Sequence, residues 1–311
     1  MNENETQKVE DLYQAAEELY DQQRFGECLN LLDQALQINR SNAYLYHVKG
    51  DTLYEMKAYW GAATSYVRAL RNAPDLAAAA MNLGNTYYLL KQYEKSLKQY
   101  DHVAQLIVDN GHISYNRGNT LAGAGMLLEA VESYSRSIEL LPDFAGSYLN
   151  RANTLARLMR NQEALADYRH ALALAPEDSN IAWTMAWAYF GKEFLTDIDV
   201  RDLERIARID PGHYTSALCL AVSALQGSDM PGALYHLERA VQLEKDEWDP
   251  HFWTGFLSAM QGETEIARQA IETALDMGLP PLLLTPLYWL QSLRPEFFEQ
   301  YAEKLLQQFG I

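Results

Sequence analysis

The sequence predicts an all-α fold, a solenoid of antiparallel helix pairs laid end to end, and three observations carry that prediction. A pattern of small, bulky and turn residues recurs every 34 positions: Gly50, Gly84 and Gly118 stand in register, as do Tyr66, Tyr100 and Tyr134. Each period reads as two helical stretches, with small residues at the points where the two helices would cross. Prolines fall at the end of the second stretch, at Pro74, Pro142, Pro176 and Pro211. A residue without an N–H cannot continue the helical ladder and pushes its predecessor away from helical geometry.

Extending the period both ways gives eight units: 9–42, 43–76, 77–110, 111–144, 145–178, 179–213, 214–247 and 248–281. The sixth carries one extra residue and is the most degenerate. In front lies an acidic lead, 1–8, expected to be flexible. The eighth position of each unit is small: Ala16, Gly50, Gly84, Gly118, Ala152, Ala186, Ala221 and Gly255. The twentieth is small in most, as Cys28, Ala62, Ser96, Ala130, Ala164, Ala233 and Ala267. Bulkier residues there would overpack the helix crossing. Tyr66, Tyr100, Tyr134, Tyr168 and Leu237 supply the bulk around them. Asp75, Asp143 and Asp178 follow three of the prolines and are expected to cap the next helix.

The tail, 282–311, leaves the period. Phe297, Phe298, Tyr301, Leu305, Leu306 and Phe309 share one helical face. Such a face suits a capping helix over the apolar end of the last unit. A dimer interface is the alternative use of the same face.

Composition narrows the function. Of 311 residues 48% are apolar, enough for a large interior, and 25 Lys and Arg against 42 Asp and Glu give a net charge of -17. An acidic surface repels phosphate backbones, which disfavours nucleic acids and anionic membranes and favours neutral or basic partners. The two cysteines, Cys28 and Cys219, belong to no metal or disulfide pattern and are expected to be buried. The start, MNENETQKVEDLY, lacks the basic and apolar regions of a secretory signal. No apolar run reaches the length of a membrane span, so a cytoplasmic location is expected.

No phosphate-binding loop, zinc-protease, nucleophile-elbow or kinase signature is present. The histidines at 47, 102, 112, 170, 213, 236 and 251 are scattered; His47 and Asp51, four apart, are placed to hydrogen-bond. With the repeats using nearly the whole length, neither an enzyme nor a cofactor or metal site is expected.

Small at position eight, aromatic at eleven and twenty-four, small at twenty and twenty-seven, proline at thirty-two: this pattern resembles the tetratricopeptide repeat. Units two to five match best, with LGNTYYLLKQYEKSLKQY running from Leu83 to Tyr100. Arg40 departs from it in unit one, and Val108, Lys245 and Leu279 depart in units three, seven and eight. The resemblance implies a right-handed superhelix whose first helices line a concave groove, at positions two, five, six, nine and twelve of each unit. Those positions hold Tyr44, His47, Asp51 and Tyr54, then Met81, Asn82, Asn85 and Tyr88, then Tyr115, Asn116 and Asn119, then Leu149, Asn150 and Asn153.

The asparagines of NLGN, NRGN and NRAN form a ladder, one rung per unit. Each primary amide offers two donors and an acceptor to the backbone of an extended peptide. The ladder resembles those of peptide-binding members of the family, and its amides are expected not to be consumed by internal bonds. Arg117 and Arg151 at position seven are expected to bridge to acids of neighbouring helices, or to meet an acidic peptide end. Trp183, Trp187 and Phe190, then Phe252, Trp253 and Phe256, replace the asparagines in later units. They form a hydrophobic anchor if exposed, and ordinary core if not.

The function this implies is a scaffold or adaptor holding an extended peptide or partner helix. Its partner would be a protein or peptide, neutral or basic; nucleic acid and membrane are not expected. Two alternatives remain open. One is a self-associating structural protein, with a homodimer possible. The other is a sensor module, resembling the arrays at the C-terminal end of bacterial signalling ATPases.

Overall fold

The computed structural model describes residues 2–190, 199–244 and 248–311. Among these residues the secondary structure is helical, in consecutive antiparallel pairs, and no strand occurs. Sixteen helices follow one another: α1 (Glu3–Asp21), α2 (Phe25–Ile38), α3 (Ala43–Glu55), α4 (Tyr59–Asn72), α5 (Ala77–Leu89), α6 (Tyr93–Leu106), α7 (Gly111–Gly123), α8 (Leu127–Leu140), α9 (Ala145–Arg157), α10 (Asn161–Leu174), α11 (Ser179–Phe190), α12 (Val200–Ile209), α13 (Tyr214–Gln226), α14 (Met230–Leu243), α15 (Trp248–Gln261) and α16 (Thr264–Asp276). By packing, the chain divides into two units, Met1–Thr154 and Leu155–Ile311.

In the first unit each helix packs on its neighbours in sequence. The small residue at position eight is explained by the tyrosine at position twenty-four. A Cβ added to Gly118 would lie 2.6 Å from the ring of Tyr134, and one on Gly84 3.0 Å from that of Tyr100; Gly50 meets Tyr66 more closely still. Tyr66, Tyr100 and Tyr134 are almost wholly buried against that crossing. In these three repeats the missing Cβ leaves the space that the ring occupies.

The turn joining the two helices of a pair also repeats. Gln23, Lys57, Lys91 and Met159 sit in left-handed geometry with φ near 60° (59°, 59°, 56° and 61°), and Gly125 and Gly262 take the same place with φ 82° and 86°. The residue after each closes the helix: the Ala58 N–H donates to Leu53 O at 2.8 Å, and the Gln92 N–H to Tyr87 O at 2.8 Å. This six-to-one bond satisfies a carbonyl that the helix end would leave open.

Between units, caps are set by the last residue of the period. Asn42, Asn110 and Asp178 each accept two backbone N–H bonds from the helix they start. The expected caps at Asp75 and Asp143 are not made there. α5 begins instead after Leu76, without a side-chain cap. The lead expected to be flexible is helical from Glu3, because Asn2 and Glu5 form a reciprocal capping box at 2.8 and 3.0 Å.

The second unit ends in a 3₁₀ stretch, Pro281–Trp289, a single turn, Leu290–Leu293, and a helical segment over 295–308 with a π-helical turn at Phe298–Ala302. This tail packs on α15: Arg294 Nε donates to Met260 O at 2.7 Å, and Trp289 meets Phe256 edge-on at 5.8 Å. Phe297, Phe298 and Leu306 are buried. Tyr301, Leu305 and Phe309 instead line a cleft of ≈ 320 Å³ with Glu272 and Leu275 of α16. Cys28 and Cys219 are both buried and unbonded to each other, as expected, and burial pushes both thiols up.

Candidate functional site

Helical spacing puts positions five, six and nine of each first helix on one face, so side chains from successive first helices come side by side. In the first unit this produces a hydrogen-bond network between repeats. Position nine is its hub. Asp51 Oδ1 accepts from the Tyr66 hydroxyl at 2.7 Å and from Asn82 Nδ2 at 2.8 Å. Asn85 Oδ1 accepts from the Tyr100 hydroxyl at 2.5 Å. Asn119 Oδ1 accepts from the Tyr134 hydroxyl at 2.8 Å and from Asn150 Nδ2 at 2.8 Å. Asn150 Nδ2 also reaches the Tyr115 hydroxyl at 3.0 Å. Asn82 Nδ2 lies 3.4 Å from His47 Nε2, which in turn is 3.5 Å from Asp51 Oδ2.

The expectation that the asparagine amides stay free of internal bonds is therefore corrected for Asn82, Asn85, Asn119 and Asn150. A buried tyrosine hydroxyl needs an acceptor, and position nine is the atom it meets. Position six of the next repeat then completes that acceptor's second lone pair. The signal was present in the sequence, as the coincidence of Tyr at position twenty-four with Asp or Asn at position nine.

Asn116 is the exception. Its side chain is half-buried and has no hydrogen-bond partner among the described residues. Its neighbour one repeat back at position five is Met81, where Asn82 and Asn150 find His47 and Tyr115. Asn85 and Asn119 use only their Oδ1 atoms, which leaves both Nδ2 groups unengaged among the described residues. Tyr44 is exposed, and Asn153 is half-buried on α9.

The position-seven arginines do structural work. Arg117 Nε donates to Asp101 at 3.2 Å and its Nη1 to Ser133 Oγ at 2.8 Å. Arg151 Nη1 donates to Ser135 Oγ at 2.9 Å, and its guanidinium lies 5.9 Å from the Tyr148 ring centre.

Of the two readings of the later aromatic residues, anchor or core, Phe252, Trp253 and Phe256 follow the second. Trp253 is 1% exposed, between Phe252 at 4.8 Å and Phe256 at 5.8 Å. Phe252 and Phe256 are buried with it, because the tail closes over this end of α15. Trp183 is half-buried and stacks on His213 at 3.8 Å. The side chains of Trp187 and Phe190 lie outside the described residues.

Four of these side chains and three more converge on a recess of ≈ 270 Å³ lined by Tyr20, Asp51, Tyr54, Glu55, Tyr66, Asn82 and Asn85. Burial, then Glu55 and Asp51, push the Tyr20 phenol up; burial, then Asp51, push up that of Tyr66. Tyr20 and Glu55 were not singled out in the sequence: the groove positions were read out only from the second unit on, and Glu55, at position thirteen, falls outside them. Among the described residues no three His, Cys, Asp or Glu are grouped to hold a metal ion. Nor is any helix among them long and apolar enough to cross a membrane.

Residues 47–106 and 115–179 match a tetratricopeptide-repeat family model. Among solved structures, a tetratricopeptide repeat protein from Parabacteroides merdae aligns over 97% of this chain and 98% of its own, at 15% identity and a TM-score of 0.54. MamA from Desulfovibrio magneticus RS-1, residue 41 to its end, aligns over 55% of this chain and 97% of its own, at 16% identity and a TM-score of 0.53. These likenesses concern the fold alone. A search of curated protein sequences found no match.

Proposed function

This chain is a tetratricopeptide-repeat protein, and on that premise we propose that it is a non-catalytic scaffold binding an extended peptide along the first helices of its repeats. The observation that supports this is the pattern of amide groups left over once the inter-repeat network is made. Asn116 keeps its whole side-chain amide, and Asn85 and Asn119 keep their Nδ2 donors. All three are half-buried and held on α5 and α7, and the network fixes the latter two in a single rotamer. Donors already oriented cost little entropy when a peptide carbonyl arrives. The bonded asparagines thus contribute rigidity, and the unbonded groups contribute recognition.

The test is selection from a display library of random dodecapeptides on the full chain, followed by calorimetry with the recovered peptides. Asn116→Ala is expected to weaken binding by about threefold to tenfold, the worth of one lost hydrogen bond, with an unchanged thermal midpoint. Peptides that bind equally well to Asn116→Ala and Asn85→Ala would place the binding surface elsewhere.

A further inference from the structure

The recess beside the amide row is lined by acid and aromatic side chains with no cation among them. Asp51 and Glu55, one turn apart on α3, both line it, and no Lys or Arg does. Some carboxylates of this unit have a cation beside them: Glu27 pairs with Arg24, Asp33 with Lys49, Asp101 with Arg117, Asp109 with Arg136. Glu55 has neither an ion pair nor a hydrogen bond among the described residues. The walls between the two acids are tyrosine rings. Tyr20 is braced edge-on by Phe25 at 5.6 Å, and Tyr54 by Tyr59 at 5.5 Å.

We propose that this recess receives a cationic side chain, the ammonium of a lysine or the guanidinium of an arginine, carried by the bound peptide. Glu55 supplies the counter-ion that the recess lacks, and the tyrosine faces supply the quadrupole that attracts an organic cation. Asp51 adds negative potential, though its Oδ1 is already taken by Tyr66 and Asn82. Asn85 Nδ2, also lining the recess, is left to hold a backbone carbonyl beside the inserted side chain. The volume, ≈ 270 Å³, lies below the range of small-molecule pockets and suits a single side chain. A hard divalent cation fits poorly, since it needs six or more oxygen ligands and Glu55 is the one fully available carboxylate. The phenols of Tyr20, Tyr54 and Tyr66 are all pushed up, first by burial and with Glu55 or Asp51 contributing to each. They remain protonated and keep the recess from gaining further charge.

The inference rests on the groove reading for how the cation is delivered, and the experiment separates the two. Amide resonances of the full chain are followed while N-acetyl-lysine methylamide is added, with N-acetyl-norleucine methylamide as the uncharged isostere. The lysine compound is expected to shift residues 20, 54, 55, 82 and 85, and the norleucine compound to leave them still. Glu55→Gln, at an exposed side chain with no internal partner, is expected to weaken the lysine compound by about threefold or more, and about 0.5 M sodium chloride to do the same by screening. Equal shifts from both compounds, no loss in Glu55→Gln, or the same shifts from calcium chloride would overturn the proposal. Groove-binding peptides selected without a lysine or arginine preference would overturn it while leaving the groove reading intact. Cation binding in the recess with no peptide recovered would do the reverse.

Discussion

Asn150 Nδ2 donates to Asn119 Oδ1 at 2.8 Å, joining two consecutive repeats through a side chain on each. The same Asn119 oxygen holds the hydroxyl of buried Tyr134. Asn150→Ala removes the bonds to Asn119 and to Tyr115, and leaves the Tyr115 hydroxyl to find water. We expect a loss of about 1–2 kcal/mol in urea unfolding. Asn116→Ala, lacking such bonds, is expected to stay within about 0.5 kcal/mol of the parent. Equal losses in the two variants would mean that the network carries no stability.

Gly50, Gly84 and Gly118 give a graded series. In each, alanine gains about 1 kcal/mol of helix propensity and meets a tyrosine ring at a different distance. At Gly84 the ring stands 3.0 Å off and at Gly118 2.6 Å, with Gly50 the tightest. Gly84→Ala is expected to be close to neutral, Gly118→Ala to lose about 1 kcal/mol and Gly50→Ala more, since overpacking costs about 1–3 kcal/mol. Thermal midpoints that do not follow this order would refute the ring-on-glycine account.

Lys57, Lys91 and Met159 carry a side chain in left-handed geometry, where Gly125 and Gly262 do the same work without a Cβ. Replacing each by glycine relieves about 1 kcal/mol of backbone strain and loses part of that to unfolded-chain entropy. Each of the three variants is expected to gain a few tenths of a kcal/mol, and Gly125→Ala to lose about 1 kcal/mol. Calorimetric midpoints would check the sign at all four sites.

Two histidines of the second unit set a pH dependence. Burial pushes His213 down from its ordinary 6.5, with Asp210 and Glu244 opposing, and burial followed by Arg239 pushes His236 down against Asp229. His213 Nδ1 accepts the Thr215 N–H at 3.2 Å at the start of α13, a bond only the unprotonated nitrogen makes. A positive charge there would also oppose the helix dipole. With the folded pKa below the unfolded one, the unfolded chain binds more protons in the interval between them. The stabilisation is complete above the ordinary 6.5 and is lost as pH falls through the lowered folded value. Thermal midpoints between about pH 8 and pH 5 should fall in the parent and fall less in His213→Gln; parallel curves would count against this assignment.

Sequence and structure agree where a residue's role is steric. The close approach at position eight and the helix-ending prolines follow from size and backbone chemistry, and a 34-residue period makes such requirements visible. Agreement weakens where a role depends on the neighbouring repeat. Asn82 and Asn116 occupy the same position, yet Asn82 bonds Asp51 one repeat back while Asn116 bonds nothing among the described residues, a difference the period itself does not mark. Trp253 was ambiguous for a related reason: it packs on Phe256, which in turn meets Trp289 of the aperiodic tail, and no repeat alignment reaches that tail. Asp178 caps and Asp75 does not because they differ by one place in the period, and a cap must be the residue immediately before the helix.

The tyrosine-to-hub bonds of the first unit span 15 residues, and the asparagine bonds between its repeats span 31 to 35. Nothing in that network ties a helix to one far along the chain. A load applied at the two ends of such a unit is therefore borne in series, each seam carrying the full tension. The weakest seam yields first, and an optical trap would read the first unit's extension as seams opening one at a time rather than as one cooperative break.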